Sequence, residues 1–238
     1  MKNISIVMAT YNGANYIEEQ LGSIIPYLEK DDELIVSDDG SKDATINIIR
    51  KFQKDDSRII LLEGPRKGVV LNFENALKHI KGDIVLFSDQ DDVWMPEKIS
   101  TIRRFFDLNP NYKLLLHDLY LCSNKQIDNN ELGPLISKKR RWRHGVIHNI
   151  LFSCYYGCCM AVSKELLASI IPFSKYTIAY DQLIGLVAEW ESTSYFLEYP
   201  LIKRRIHGNN MTKKLDLKGK IRFRVLLLRS FIETLKRN

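Results

Sequence analysis

Two clusters of adjacent acids dominate the sequence, Ser37-Asp38-Asp39-Gly40-Ser41 and Ser88-Asp89-Gln90-Asp91-Asp92-Val93-Trp94. Each follows a short apolar run, Leu34–Val36 and Ile84–Phe87, that reads as a buried strand. Carboxylates this close repel one another and resist leaving water unless a cation or hydrogen-bond donors compensate them. Acids at positions i and i+2 of a strand end, such as Asp89 and Asp91, point to one side and can share a divalent ion. Hard oxygen donors suit Mg²⁺ or Mn²⁺, which also bind phosphate oxygens. The plainer alternative is an acidic turn in which Asp92 caps the next helix.

The elements that must position these acids follow from apolar periodicity. Strands are expected at Ile4–Ala9, Leu34–Val36, Ile59–Leu62 and Ile84–Phe87. Helices are expected over Asn15–Glu29, Asp43–Gln53 and Asn72–Ile80, with another opened by Pro96 and running through Phe106. Strand–helix alternation at these lengths predicts an α/β, doubly wound and mostly parallel sheet. In such sheets ligands bind beyond the C-terminal strand ends, where Thr10, Asp38 and Asp89 fall. The following stretch reads as mixed, with strands at Leu114–Leu121, Cys158–Val162, Ser194–Leu197 and Leu201–Arg205 and helices at Lys164–Ile171 and Tyr180–Glu189. Residues 1–110 thus form a ligand-binding α/β half, 111–212 the remainder of that domain, and 213–238 a tail.

The chain has 238 residues, 45% hydrophobic and 27% charged, with a net charge of +6, which fits a globular protein with a full core. Of its 35 Lys/Arg and 29 Asp/Glu, nine and two fall in residues 213–238, leaving 26 and 27 in the rest. The basic character therefore belongs to the tail. A nearly neutral body argues against nucleic acid as a partner, because phosphate-backbone binding needs distributed Lys and Arg. In the tail, Leu217, Ile221, Val225, Leu228, Ile232 and Leu235 form one apolar stripe. Lys218, Arg222, Arg229 and Lys236 flank it on one side, and Lys220 and Arg224 on the other. That pattern suits a helix lying on an anionic membrane surface, or one packed on the domain or on a second subunit. No apolar run reaches the roughly 18–20 residues of a spanning helix. Met1-Lys2-Asn3 leads straight into a strand-like run, so no secretion signal is expected. Cys122, Cys154, Cys158 and Cys159 then read as reduced core thiols, with a zinc set of the last three as the alternative.

Three motifs in order, Met8-Ala9-Thr10-Tyr11-Asn12-Gly13, Val36-Ser37-Asp38-Asp39-Gly40-Ser41-Lys42-Asp43-Ala44-Thr45 and Ser88-Asp89-Gln90-Asp91-Asp92-Val93-Trp94, resemble those of family 2 inverting glycosyltransferases with the GT-A fold. The third is most similar to the bacterial rhamnosyltransferase-like members that build surface polysaccharides such as O-antigen and capsule. Gly157-Cys158-Cys159-Met160-Ala161-Val162, Tyr180-Asp181-Gln182-Leu183 and His207-Gly208-Asn209-Asn210 extend the likeness over roughly residues 3–210. The resemblance implies that Thr10, Tyr11 and Asn12 line a base and ribose pocket. Asp38 or Asp39 would accept from a pyrimidine N3–H. Asp89 would touch the ribose or share in the metal, Asp91 would ligate Mg²⁺ or Mn²⁺, and His207 would approach the same ion or the diphosphate. Asp181 would be the base.

Inverting transfer needs one carboxylate to take the acceptor's proton, a role Asp181 could fill at the start of its helix; an N-cap is the alternative. Arg66 and Lys67 sit in a turn as phosphate contacts or as solvated charges. Trp94 is expected to pack beneath the acidic loop, and Tyr155 and Tyr156 to form an acceptor platform or core. The implied partners are a nucleoside-diphosphate sugar, best dTDP-rhamnose with a UDP-hexose as runner-up, and a lipid-linked oligosaccharide. The implied location is peripheral, at the inner face of a bacterial plasma membrane. Two rivals are a nucleotidyltransferase and a polybasic membrane or nucleic-acid module. The former is disfavoured because Ala9–Gly13 lacks a glycine-rich basic loop.

Overall fold

The β-branched runs of the first half form strands β1 (Ile4–Thr10), β2 (Glu33–Asp38), β3 (Ile59–Glu63) and β4 (Ile84–Ser88), linked by helices α1 (Ile17–Ile24), α2 (Thr45–Asp55) and α3 (Val69–Leu77). The computed structural model describes residues 1–137, 142–152, 154–207 and 216–237. The sequence features at Gly208-Asn209-Asn210 and at 213–215 lie outside them. The chain continues through β5 (Val93–Trp94), α4 (Lys98–Leu108), β6 (Leu114–Ser123), α5 (Asn124–Asp128), α6 (Val146–Phe152), β7 (Met160–Ser163), α7 (Lys164–Ile170), α8 (Tyr180–Trp190), β8 (Ser194–Ile206) and α9 (Leu217–Leu235).

All eight strands join one sheet in the order β3-β2-β1-β4-β7-β6-β8-β5. Strands β3, β2, β1 and β4 run parallel. Strand β7 is antiparallel to both neighbours, β8 is parallel to β6, and β5 is antiparallel to β8. The register aligns Thr10 with Asp38, Asp38 with Glu63, and Met8 with Ser88. The loops that follow β1, β2 and β4 therefore leave the same edge of the sheet.

The interiors of β1, β2 and β4 are buried on both faces, as a parallel sheet between helices requires. Ile4, Ile6 and Met8 face one layer, built from Ile17, Leu21, Ile49, Ile102 and their neighbours on α1, α2 and α4. Val7, Ile35 and Phe87 face the other, which takes in Phe73, Leu167, Leu183, Leu227 and Phe231 from α3, α7, α8 and α9.

Several boundaries move from the sequence expectation for local reasons. Pro26 turns the end of the first helix into a 3₁₀ segment, Ile25–Tyr27. Gly68, at φ +90°, lets α3 begin at Val69 rather than Asn72. Pro96 precedes the cap residue Glu97, so α4 starts at Lys98. The two strands expected at 194–205 are one strand, with an irregular register where Pro200 interrupts the ladder with β6. The short elements β5, α5 and α6 carried no pattern long enough to read.

The tail helix packs on the domain mainly by a face the sequence stripe does not contain, with Leu235 the stripe residue that also meets the core. Leu227, Ser230, Phe231 and Thr234 are its buried residues, whereas Leu217, Ile221, Val225, Leu228 and Ile232 are exposed.

Candidate active site

The loop after β1 is fixed before any ligand is considered. Asn12 takes a left-handed φ of 48°. Its N–H donates to Ser41 Oγ at 2.8 Å, and its side-chain oxygen accepts from the Lys42 N–H at 2.8 Å. Asn12 therefore ties this loop to the loop after β2. The Gly13 N–H donates to Thr45 Oγ1 at 2.8 Å. On the other side Gln90 clamps Tyr11: its Oε1 accepts the Tyr11 N–H at 3.0 Å and its Nε2 donates to the Tyr11 carbonyl at 3.1 Å. A Cβ on Gly13 would stand 2.2 Å from Gln90 Oε1, which is why glycine is required there. Tyr11 itself projects, 54% exposed, over this platform.

The two neighbouring acids after β2 differ in their partners. Asp38 is buried, and its carboxylate accepts from Thr10 Oγ1 (2.9 Å), Ser41 Oγ (2.6 Å), and the N–H groups of Gly40 (3.1 Å) and Ser41 (2.8 Å). Those four donors fill its acceptor sites. Asp39 is half-buried and accepts only the N–H groups of Lys67 (3.2 Å) and Gly68 (2.8 Å), one on each oxygen. It keeps acceptor capacity for a further donor. Arg66 is exposed, with a loose 3.8 Å contact to Glu63. An open groove of about 430 Å³ beside it, bordered by Gly40, Lys42, Arg50 and Leu61, shares Asp38 with the acidic loops but lies on the β3 flank, away from Asp91.

The loop after β4 has few donors and many acids. Ligand atoms of Asp89, Asp92 and Cys158 lie within 4.8 Å of one another, the one such grouping among the described residues. The three-cysteine zinc set is thus not assembled there, and Cys154 instead contacts Asn149 Oδ1 at 2.5 Å. Asp91 Oδ2 meets His207 Nε2 at 2.7 Å. His207 stacks on Tyr16 with ring centroids 4.8 Å apart. Burial, then the Asp91 charge, lifts the Asp89 carboxyl to about 6. Burial, then Asp89 and Asp91, lifts Asp92 to about 8. Asp92 Oδ1 accepts the Arg205 N–H at 3.1 Å, while its Oδ2 is buried without a hydrogen-bond partner. Asp92 therefore braces the loop against β8 and does not cap α4.

Three cations surround these acids, and none carried a sequence signal beyond its strand or helix position. Arg204 acts on both Asp89 and Asp92, with its guanidinium over the Tyr156 ring at 5.5 Å. Arg205 donates from Nε to the Asp91 carbonyl at 3.0 Å and pairs with Glu19. Buried Lys98 donates to the Cys158 carbonyl at 2.9 Å, 3.7 Å from the centre of the Trp94 ring, and burial pulls its ammonium down to about 8. Trp94 is in the core beneath the loop. The Asp89 and Asp91 carboxylates, the imidazole beside Asp91 and the orphaned Asp92 oxygen form a donor set that suits a hard divalent cation.

Asp181 stands in the first turn of α8, whose N-cap is Ala179, so it is not the cap. Its Oδ1 accepts the Gln182 N–H at 2.8 Å. Burial pushes its carboxyl up to about 6, against hydrogen bonds from Gln182 and the Gly157 backbone. Asp181 also adds to the field that raises Asp89, so the two carboxylates lie near each other. Below them Tyr180 leaves no room for a Cβ on Gly157, 2.1 Å from its hydroxyl. Tyr155 is buried against Gly185 in the core, whereas Tyr156 is half-exposed beside Arg204.

Residues 5–170 match the family model described as Glycosyl transferase family 2. The dTDP-rhamnosyl transferase RfbG of Shigella flexneri is 44% identical over 98 residues, 39% of this chain and 34% of that protein. The UDP-Glc:alpha-D-GlcNAc-diphosphoundecaprenol beta-1,3-glucosyltransferase WfgD of Escherichia coli is 29% identical over 175 residues, 72% of this chain and 63% of that protein. The chain spans about a third to two thirds of the length of the curated relatives it matches. Among solved structures, the mannosyltransferase PcManGT from Pyrobaculum calidifontis, in complex with GDP-Man and Mn²⁺, superposes with a TM-score of 0.67 at 19% identity, covering 100% of this chain and 65% of that one. The fold is that of the GT-A glycosyltransferases, and the chain belongs to glycosyl transferase family 2.

Proposed function

We propose that the protein transfers a sugar, with inversion, from a nucleoside diphosphate to a hydroxyl of a lipid-linked surface-polysaccharide intermediate. This reading is supported most by the nearness of Asp181, at the start of α8, to Asp89, which stands with Asp91 in the loop after β4. Asp91 and His207 would hold Mg²⁺ or Mn²⁺, with Asp89 beside them touching the ion or the ribose. Held there, such an ion would supply charge neutralisation for the departing diphosphate.

Thr10, Tyr11 and the Asn12-braced loop form the floor for base and ribose. Asp39 accepts the pyrimidine N3–H, because its lone pairs are still available while those of Asp38 are taken. Asp181 accepts the proton of the acceptor hydroxyl as its oxygen bonds to the anomeric carbon. The bond from that carbon to the diphosphate breaks on the opposite side, and its electron pair leaves with the diphosphate. One base is enough, and its raised pKa lets it hold a proton near neutrality.

The donor we favour is dTDP-rhamnose, supported by the 44% identity to RfbG across 98 residues. A UDP-hexose is the second reading, supported by the longer match to WfgD. A lipid-linked acceptor puts the reaction at the cytoplasmic face of a bacterial membrane; among the described residues no helix is long and apolar enough to cross one. The test is a panel of dTDP- and UDP-sugars assayed with cell-derived lipid-linked acceptors. Turnover of one donor with inverted anomeric product is expected, and no transfer from any nucleotide sugar would refute the proposal.

A further inference from the structure

Helix α9 uses one face to pack on α8 and leaves an apolar face uncovered. Ile221, Val225, Leu228 and Ile232 are 42–57% exposed along that outer stripe. Helix α6, from a different part of the chain, adds Ile147 and Phe152, 77% and 65% exposed. The two helices touch, and the Arg224 guanidinium donates to the Leu151 carbonyl. Arg224 neighbours Ile221 and Leu228 at i−3 and i+4 on the helix surface, so α6 borders the stripe on that side. Lys218, Arg222 and Arg229 line its other margin. The two acids of α9 and its cap are already engaged: Asp216 accepts the Gly219 N–H, and Glu233 bonds Ser174 and Arg237.

We propose that α6 and α9 together form a face that docks on an anionic lipid bilayer. A contiguous apolar patch of this kind is rare on a free surface. An apolar stripe with a cationic margin lies in the plane of a bilayer, with the side chains in the acyl boundary and the cations at the phosphates. The margin argues against a second copy of the chain, because pairing stripe to stripe would bring two basic rows together. Helix α8 lies between this face and the sheet and carries Asp181 at its start, so docking fixes how far the base stands from the lipid surface. That purpose rests on the transferase reading; the docking itself does not.

The test uses the full chain in co-flotation with vesicles of phosphatidylcholine plus phosphatidylglycerol, and with phosphatidylcholine alone. Binding to the first only, weakened by salt, is expected. The pairs Arg222→Glu with Arg229→Glu, and Ile147→Ser with Phe152→Ser, should each lower the bound fraction about tenfold or more. All four side chains are on the surface, so thermal unfolding should not shift, and metal-dependent nucleotide binding should survive in both variants. The proposal is overturned if the wild type ignores anionic vesicles, if the α6 pair binds as well as wild type, or if the stripe closes a dimer in solution. Vesicle binding with no nucleotide binding would refute the transferase reading alone.

Discussion

The acidic loops after β2 and β4 each open with Ser-Asp and carry adjacent acids at the same edge of one sheet, and they are satisfied in opposite ways. Asp38 receives four protein donors, so its charge is spent on holding two loops together. Asp89, Asp91 and Asp92 receive far fewer, and burial with mutual repulsion drives Asp89 and Asp92 toward the protonated form. A carboxylate provided with N–H groups belongs to the architecture. A group of carboxylates left to repel one another in a partly buried pocket suits a cation.

The contrast breaks if the two loops respond alike to neutralisation. The largest effect is expected from Asp91→Asn, which removes the proposed metal ligand and should lower turnover by at least roughly a thousandfold, because such an ion supplies several kcal/mol; melting temperature should hold. Asp181→Asn should lower turnover by roughly 10²–10⁴ while leaving donor affinity intact. The wild-type kcat/KM should rise with pH through about 6, since the base works only when ionised and burial lifts its pKa to that value. In the Asn variant that limb should vanish. Asp39→Asn should weaken nucleotide binding by roughly ten- to a hundredfold in calorimetry, the worth of a hydrogen bond to a charged group, with little loss of stability. Asp38→Asn should act on the fold instead, costing about 2 kcal/mol in denaturant unfolding as buried donors lose their acceptor. Equal effects of the last two on stability would erase the distinction drawn between them.

Much of this arrangement was legible in the chain. The parallel half declared itself because each strand is apolar on both faces and each helix has a clear stripe. The motif acids were legible because charge directly after a buried strand is costly. The division of labour between Asp38 and Asp39 was not, since it depends on Ser41, Lys67 and Gly68 coming within hydrogen-bond reach across loops. Arg204, Arg205 and Lys98 were equally hidden: a cation in a strand or a helix reads as solvated until the fold turns it inward. The tail shows the limit most plainly. Its stripe was read correctly as apolar, but a helix can be amphipathic in two directions. Leu227 and Phe231, which the stripe omits, are what attach it to α8.

The most direct test of the central claim is a calorimetric titration of dTDP and UDP into the protein, with Mn²⁺ and again with chelator, beside the same titrations of Asp91→Asn. Binding of at least one nucleotide in the wild type with Mn²⁺, lost on chelation and absent from the variant, is the predicted result. Diphosphate binding that is equally strong without metal, or undiminished in Asp91→Asn, would contradict the assignment of the β4 loop as the cation site.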